Sequence, residues 1–188
     1  YDYEGMFYDQ GIYHVAGVDE VGRGPIAGPV TVAAVILPPM TLIPGLNDSK
    51  KLTEEKREAL YDIIMDEAVA VSCITSGPEK IDELNIYEAT RQAMYEAIRT
   101  LSVPAEAVVA DAMKLPDLTI PVDSIIKGDS KSANIAAASI IAKVTRDRYM
   151  KQLDEEYPGY GFGLHKGYYT ELHKEAVEQQ GVTPLHRK

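Results

Sequence analysis

Four acidic residues stand where chemistry could be done. Asp19 and Glu20 close an apolar, β-rich stretch, Asp111 closes another, and Asp129 follows a further candidate strand. In open α/β sheets, ligand sites gather at strand ends. Carboxylates brought together there repel one another unless a cation joins them, and hard oxygen donors suit Mg²⁺ or Mn²⁺. Two such ions about 3.5–4 Å apart are the apparatus for in-line attack of water on a phosphodiester. The plainer reading of each residue is a turn former or helix cap. Neighbours on a regular strand point to opposite faces, so Asp19 and Glu20 share one ion only if the strand ends or bulges between them, a break that Val21-Gly22 immediately after would favour.

Gly22-Arg23-Gly24 opens a glycine-rich loop that continues through Pro25-Ile26-Ala27-Gly28. Its letters match a dinucleotide fingerprint, but that motif needs a helix next. Here Pro25 and Pro29 intervene and a β-branched run follows. Two uses remain. The glycines could let backbone groups approach a sugar-phosphate closely, with Arg23 on a phosphate, or they could simply make a tight hairpin. In the run from Ile135 to Arg148, Lys143 and Asp147 are i, i+4 neighbours, with Arg146 between them and Arg148 just beyond, and read as either a functional cluster or a solvated turn. His165-Lys166-Gly167-Tyr168-Tyr169 pairs cations with aromatics that could stack on a sugar or base, or sit at a core edge. The four histidines have no zinc-type spacing, and no serine sits in a nucleophile elbow.

These residues need a framework. His14 to Glu20 and Pro29 to Leu37 read as two strands joined into a hairpin by the glycine loop. Thr53 caps a helix to Glu67, Val69 to Thr75 is a strand stopped by Gly77-Pro78, and Asn85 with Glu88 starts a helix reaching Leu101. Strands over Ala107 to Ala110 and Ile120 to Ile126 follow. Ser132 caps a long helix to about Leu153 whose first half is apolar nearly all round, hence central and buried. A last helix covers Thr170 to Gln180. The expected fold class is α/β: a mixed sheet with an N-terminal β-hairpin, flanked by helices, with a helical C-terminal part.

Composition bounds the class. The chain has 188 residues, 45% hydrophobic and 26% charged, suiting one globular domain. No apolar run approaches the roughly 20 residues needed to cross a bilayer. One cysteine, Cys73, excludes an internal disulfide and, with no signal peptide at Tyr1-Asp2-Tyr3-Glu4, leads to the expectation of a cytoplasmic protein. The net charge of −10 argues against a nucleic-acid partner when taken whole. It is uneven: residues 1–126 hold 9 Lys and Arg against 21 Asp and Glu, net −12, whereas residues 127–188 hold 10 against 8, net +2.

The stretch Asp19-Glu20-Val21-Gly22-Arg23-Gly24-Pro25-Ile26-Ala27-Gly28-Pro29-Val30 resembles the signature of bacterial ribonuclease HII. Blocks at residues 48–53, 81–86, 127–132, 136–148, 157–162 and 165–168 are similar to family blocks in the family's order. The resemblance implies an RNase H-like fold over one catalytic domain, residues 1–188, with a core at 12–160, a helical segment at 161–188 and a remnant of an N-terminal extension in residues 1–11. It implies a metal-dependent endonuclease that cuts the RNA strand of RNA/DNA hybrids. Such an enzyme also nicks duplex DNA on the 5′ side of single ribonucleotides, leaving 3′-hydroxyl and 5′-phosphate ends, as in ribonucleotide excision repair.

The family's acidic quartet falls on Asp19, Glu20, Asp111 and Asp129, as holders of two Mn²⁺ or Mg²⁺ ions. Gly22, Arg23 and Gly24 match the element that reads the 2′-hydroxyl, the group that separates RNA from DNA. Tyr168 matches a tyrosine that packs on the following deoxyribose, and Asp147 a supporting Asp. The glycine loop separates this family from its sister, ribonuclease HIII. With four negative charges assigned to dications, the remaining balance leads to the expectation of a basic substrate surface from Lys127, Lys131, Lys143, Arg146 and Lys166, joined by Arg23 and Lys50. The expected partner is RNA/DNA hybrid or ribonucleotide-containing DNA, bound by a monomer without a membrane. A binder without turnover and a junction resolvase are the alternatives; cleavage and its substrate separate the three.

Overall fold

The computed structural model describes residues 4–22, 28–40, 43–46, 52–111, 113–125, 132–156, 161–162, 173, 177 and 185–187. Its elements run α1 (Glu4–Asp9), β1 (Val15–Val21), β2 (Val30–Ile36), α2 (Glu54–Glu67), β3 (Ala70–Ser76), α3 (Pro78–Leu84), α4 (Ile86–Arg99), β4 (Ala107–Asp111), β5 (Val122–Ile125) and α5 (Ala133–Glu156). Among the described residues the strands form one sheet in the order β3-β2-β1-β4-β5. β1 pairs antiparallel with β2, from Ala16↔Ile36 to Val21↔Thr31, which is the expected hairpin. On its other side β1 runs parallel to β4, and β4 runs parallel to β5. The central strand is therefore where the sheet changes sense.

Alternation along the strands divides the core in two. Ala16, Val18, Val32, Ala34, Val108 and Ala110 pack under α4 residues such as Met94 and Ile98. Ala33, Val35 and Leu37 face α2 and α5, meeting Leu60, Ile64, Ala137, Ile140 and Ile141. The apolar first half of α5 is buried as expected, because this helix lies across the sheet. Gly17 permits that crossing. A Cβ there would meet the backbone of Asn134 and Ile135 well inside 3.0 Å, so only glycine lets β1 and α5 touch main chain to main chain.

The caps act as their sequences indicate. Thr53 accepts the Lys56 amide at 3.2 Å, Asn85 accepts the Glu88 amide at 3.0 Å, and Ser132 Oγ accepts the Ile135 amide at 3.2 Å. Two helices depart from the sequence reading. Gly77-Pro78 ends β3 but also starts α3, since proline at the first helical position gives up an amide that had no partner anyway. The N-terminal stretch forms α1, which is joined to the core. Phe7 packs with Val15, Val109 and Ile135, and Glu4 is fully buried, accepting from Ser132 Oγ and from Asn134 Nδ2 at 3.1 Å. Of the expected C-terminal helix, His173 and Val177 are helical and its other positions lie outside the described residues. Among the described residues no helix is long and apolar enough to cross a membrane.

Candidate active site

Parallel pairing of β1 and β4 runs in register from Val15↔Ala107 to Val18↔Ala110. One residue further on, the same register sets Asp19 beside Asp111. Both point to the face covered by α5, the face of Gly17 and Val109. Asp19 is only 6% exposed, and its Oδ1 accepts the Glu20 amide at 2.8 Å, which fixes its rotamer. No bulge separates Asp19 from Glu20. The antiparallel ladder continues regularly through Asp19↔Ala33, Glu20↔Val32 and Val21↔Thr31. The break expected between Asp19 and Glu20 is thus absent: β1 runs regularly to Val21, and Gly22, whose φ is +93°, follows it. The longer Glu20 side chain nonetheless comes back within side-chain hydrogen-bond reach of Asp19.

Burial pushes the Asp19 carboxyl well above the ordinary carboxylate range, and the charges of Glu20 and then Asp111 push it the same way; the Glu20 amide opposes them. Two carboxyl groups in hydrogen-bond reach, with a third beside them, must share either a proton or a cation. The donor set is all hard oxygen, so it fits a Mg²⁺- or Mn²⁺-type ion rather than a soft one. Among the described residues, no group of three or more His, Cys, Asp and Glu side chains forms a ready-made metal cage. Asp129 lies outside the described residues, as do Arg23, Gly24, Lys50, Tyr168, Lys127, Lys131 and Lys166.

The cations on α5 are placed differently from the expected basic surface. Arg146 is 1% exposed, and its Nε donates to the Pro29 carbonyl at 2.8 Å. It therefore cannot serve as a surface phosphate contact; it braces the hairpin from beneath. Lys143 donates to Asp147 at 3.2 Å, and Arg57 reaches the other oxygen of the buried Asp147 at 3.7 Å. The i, i+4 pair is present, with Asp147 joining α5 to the start of α2. Arg148 and Lys151 pair with Glu58 and Glu54 of α2. Sequence spacing also missed a histidine pair. His173 and His186, thirteen residues apart, bring their Nε2 atoms to 2.6 Å in a buried setting beside Phe162.

Carboxylates at the C-terminal ends of two parallel strands, on a sheet of this order with a helix laid across it, define a hydrolase of the RNase H-like fold. The family model for ribonuclease HII matches residues 16–188, and a ribonuclease HII of Bacillus mycoides is 58% identical over 186 residues, covering 99% of this chain and 72% of that protein. The chain belongs to the ribonuclease HII family. It is a divalent-metal-dependent endoribonuclease of RNA/DNA hybrids.

A ribonuclease HII of Bacillus cytotoxicus is also 58% identical, covering 99% of this chain and 71% of that one. Among solved structures, ribonuclease H2 of Pyrococcus horikoshii superposes with a TM-score of 0.79 at 28% identity, covering 92% of both chains. The ribonuclease HII of Archaeoglobus fulgidus, solved in complex with PCNA, gives 0.79 at 29%, covering 93% of both. The Mn²⁺ complex of Bst-RNase HIII gives 0.66 at 21% identity, over 92% of this chain and 64% of that one, a likeness of fold alone.

Proposed function

We propose that this enzyme incises duplex DNA on the 5′ side of single embedded ribonucleotides, besides cutting the RNA strand of hybrids, and leaves 3′-hydroxyl and 5′-phosphate ends. The observation that carries the site is the crowding of Asp19 by Glu20 and Asp111 at the ends of β1 and β4, a charge arrangement that a dication relieves. In this reading Asp19, Glu20, Asp111 and Asp129 hold two Mg²⁺ or Mn²⁺ ions. Such ions, when bound, supply charge stabilisation to the phosphoryl group and a nucleophile from water at neutral pH.

The chain's own contribution is placement. The Glu20 amide holds Asp19 in one rotamer, and the parallel register sets Asp111 beside it. Gly22, Arg23 and Gly24 read the 2′-hydroxyl through backbone groups, a task for donors and acceptors that no deoxyribose can satisfy. Tyr168 packs on the deoxyribose that follows. Lys143 contacts phosphate from the rim, while Asp147 supports that lysine through their 3.2 Å hydrogen bond. The whole chain acts as one catalytic domain, with its core in residues 12–160 and the helical segment 161–188 completing the substrate face.

Mapping the cut in a duplex that carries one ribonucleotide, with Mg²⁺ and then Mn²⁺, tests this directly. A single nick 5′ of the ribonucleotide, lost in Asp19→Asn and Asp111→Asn, is the expected result. Unchanged cleavage in either variant, or a cut elsewhere, would overturn it.

A further inference from the structure

The loop Gly22 to Gly28 is anchored at both ends by two arginines from distant parts of the chain. The guanidinium of Arg187 bridges two carbonyls: Nε donates to Gly28 O at 3.1 Å and Nη2 donates to Gly22 O. The same C-terminal segment takes the Gly28 amide on Leu185 O at 2.9 Å. Buried Arg146 in turn donates to Pro29 O and lies directly against Gly22 and Gly28. A Cβ at Gly22 would run into its guanidinium stem, and one at Gly28 would sit 2.7 Å from Met150 Sδ and 3.2 Å from Arg146 Nη2. Both glycines have positive φ, +93° and +85°, so each is required twice over, by conformation and by this packing.

We propose that Arg187 and Arg146 are positioning residues for ribose selectivity: they fix the two ends of the glycine loop so that its backbone groups meet the 2′-hydroxyl in register. This rests on the loop's role given above. Recognition by backbone cannot be tuned by rotamers, so its accuracy is inherited from whatever holds the loop's ends. Productive placement demands roughly 0.5 Å. A planar guanidinium suits the task, because its donors sit on separate nitrogens in a rigid fork and so fix the spacing of two carbonyls, which the single rotatable nitrogen of a lysine ammonium does not. Arg187 is half-buried, and the tail that carries it is seated by the His173–His186 contact against Phe162.

The test compares single-turnover cleavage of two duplexes, one with a single ribonucleotide and one with a 2′-fluoro nucleotide in its place, for the parent, Arg187→Lys and Arg187→Ala. The parent should prefer ribose. In both variants that preference should fall by about tenfold, the worth of one well-made hydrogen bond, while Mn²⁺ affinity by calorimetry stays at the parent value. Added ethylguanidinium should restore preference to Arg187→Ala and leave Arg187→Lys unchanged. Arg146→Lys, in the buried arm, should lose preference in the same way. A preference unchanged in the Arg187 variants would overturn the clamp and leave the loop's role standing. A parent that does not distinguish the two sugars would overturn the loop's role itself. Preference and Mn²⁺ affinity falling together, without guanidinium rescue, would mark Arg187 as merely structural and also refute the proposal.

Discussion

Replacing Gly17 by alanine should damage stability and metal binding together. The three atoms that an added Cβ would meet are all backbone of Asn134 and Ile135, each well under 3.0 Å away, so no side chain can rotate aside. To restore an ordinary contact α5 must retreat by on the order of 1 Å, and overpacking of this kind costs about 1–3 kcal/mol. The retreat also stretches the buried bond from the Leu37 amide to Asn134 Oδ1, now 2.8 Å, worth about 1 kcal/mol more. A loss of about 2–4 kcal/mol follows. With a urea dependence of about 2 kcal/mol per M, the unfolding midpoint should drop by about 1–2 M. Asp19 lies two residues along the same face, so calorimetric Mn²⁺ affinity should weaken as well. Gly5→Ala is the control. Its Cβ meets nothing within 4 Å, and the substitution in α1 should be neutral or stabilising by about 0.5–1 kcal/mol. A Gly17→Ala midpoint equal to that of the parent, or matched by Gly5→Ala, would refute the close-approach argument.

Three further outcomes are expected. Asp19 is raised in the fold, so the folded state holds its proton more tightly and metal-free stability declines as pH climbs from about 4 through the folded value. Asp19→Asn should therefore flatten that slope in EDTA and be more stable than the parent at neutral pH, while gaining less from added Mn²⁺; thermal unfolding with and without metal reads both. Burial, aided by the charge of Glu4, pushes the Tyr8 phenol up to about 12, so its stabilising contribution, full below about pH 10, fades as pH rises through about 12. Urea midpoints at about pH 9 and about pH 11.5 should converge in Tyr8→Phe; an undiminished decline in that variant would count against the assignment. Glu4→Ala leaves Ser132 Oγ and Asn134 Nδ2 without their buried acceptor and should cost about 1–3 kcal/mol in denaturant unfolding. A neutral result would show that α1 is not tied to α5.

Local signals were legible in the sequence where their physics is local. Thr53, Asn85 and Ser132 cap the helices they were assigned, because a cap needs only a hydroxyl or amide and an amide three residues on. The hairpin and the strand ends bearing Asp19, Glu20 and Asp111 followed from β-branched runs and glycines. Distant pairings were not legible. Arg146 reads as a surface cation beside Arg148, yet its partner is the Pro29 carbonyl, 117 residues away. No spacing rule reveals that, or the His173–His186 contact. The helix α3 was hidden for another reason: Gly77-Pro78 is a stop signal for a strand and a start signal for a helix, and only the stop was read. The regular course of β1 past Glu20 corrected an argument from alternation, because a glutamate is long enough to reach around the strand end.

The arginine bridge also orders events during synthesis. Gly28 and Arg187 are 159 residues apart, and Glu4 and Ser132 are 128 apart. At ribosomal speeds of about 5–20 residues per second, Glu4 waits on the order of ten seconds for its partner, and the glycine loop waits longer still. β1, β2 and β3 can pair before either closure, and β4, which brings Asp111 beside Asp19, is made before residue 132, whereas the loop's anchor at Arg187 arrives much later. A nascent chain therefore presents Asp19, Glu20 and Asp111, the residues proposed to hold metal, well before Arg187, the residue proposed to fix the loop that chooses a sugar.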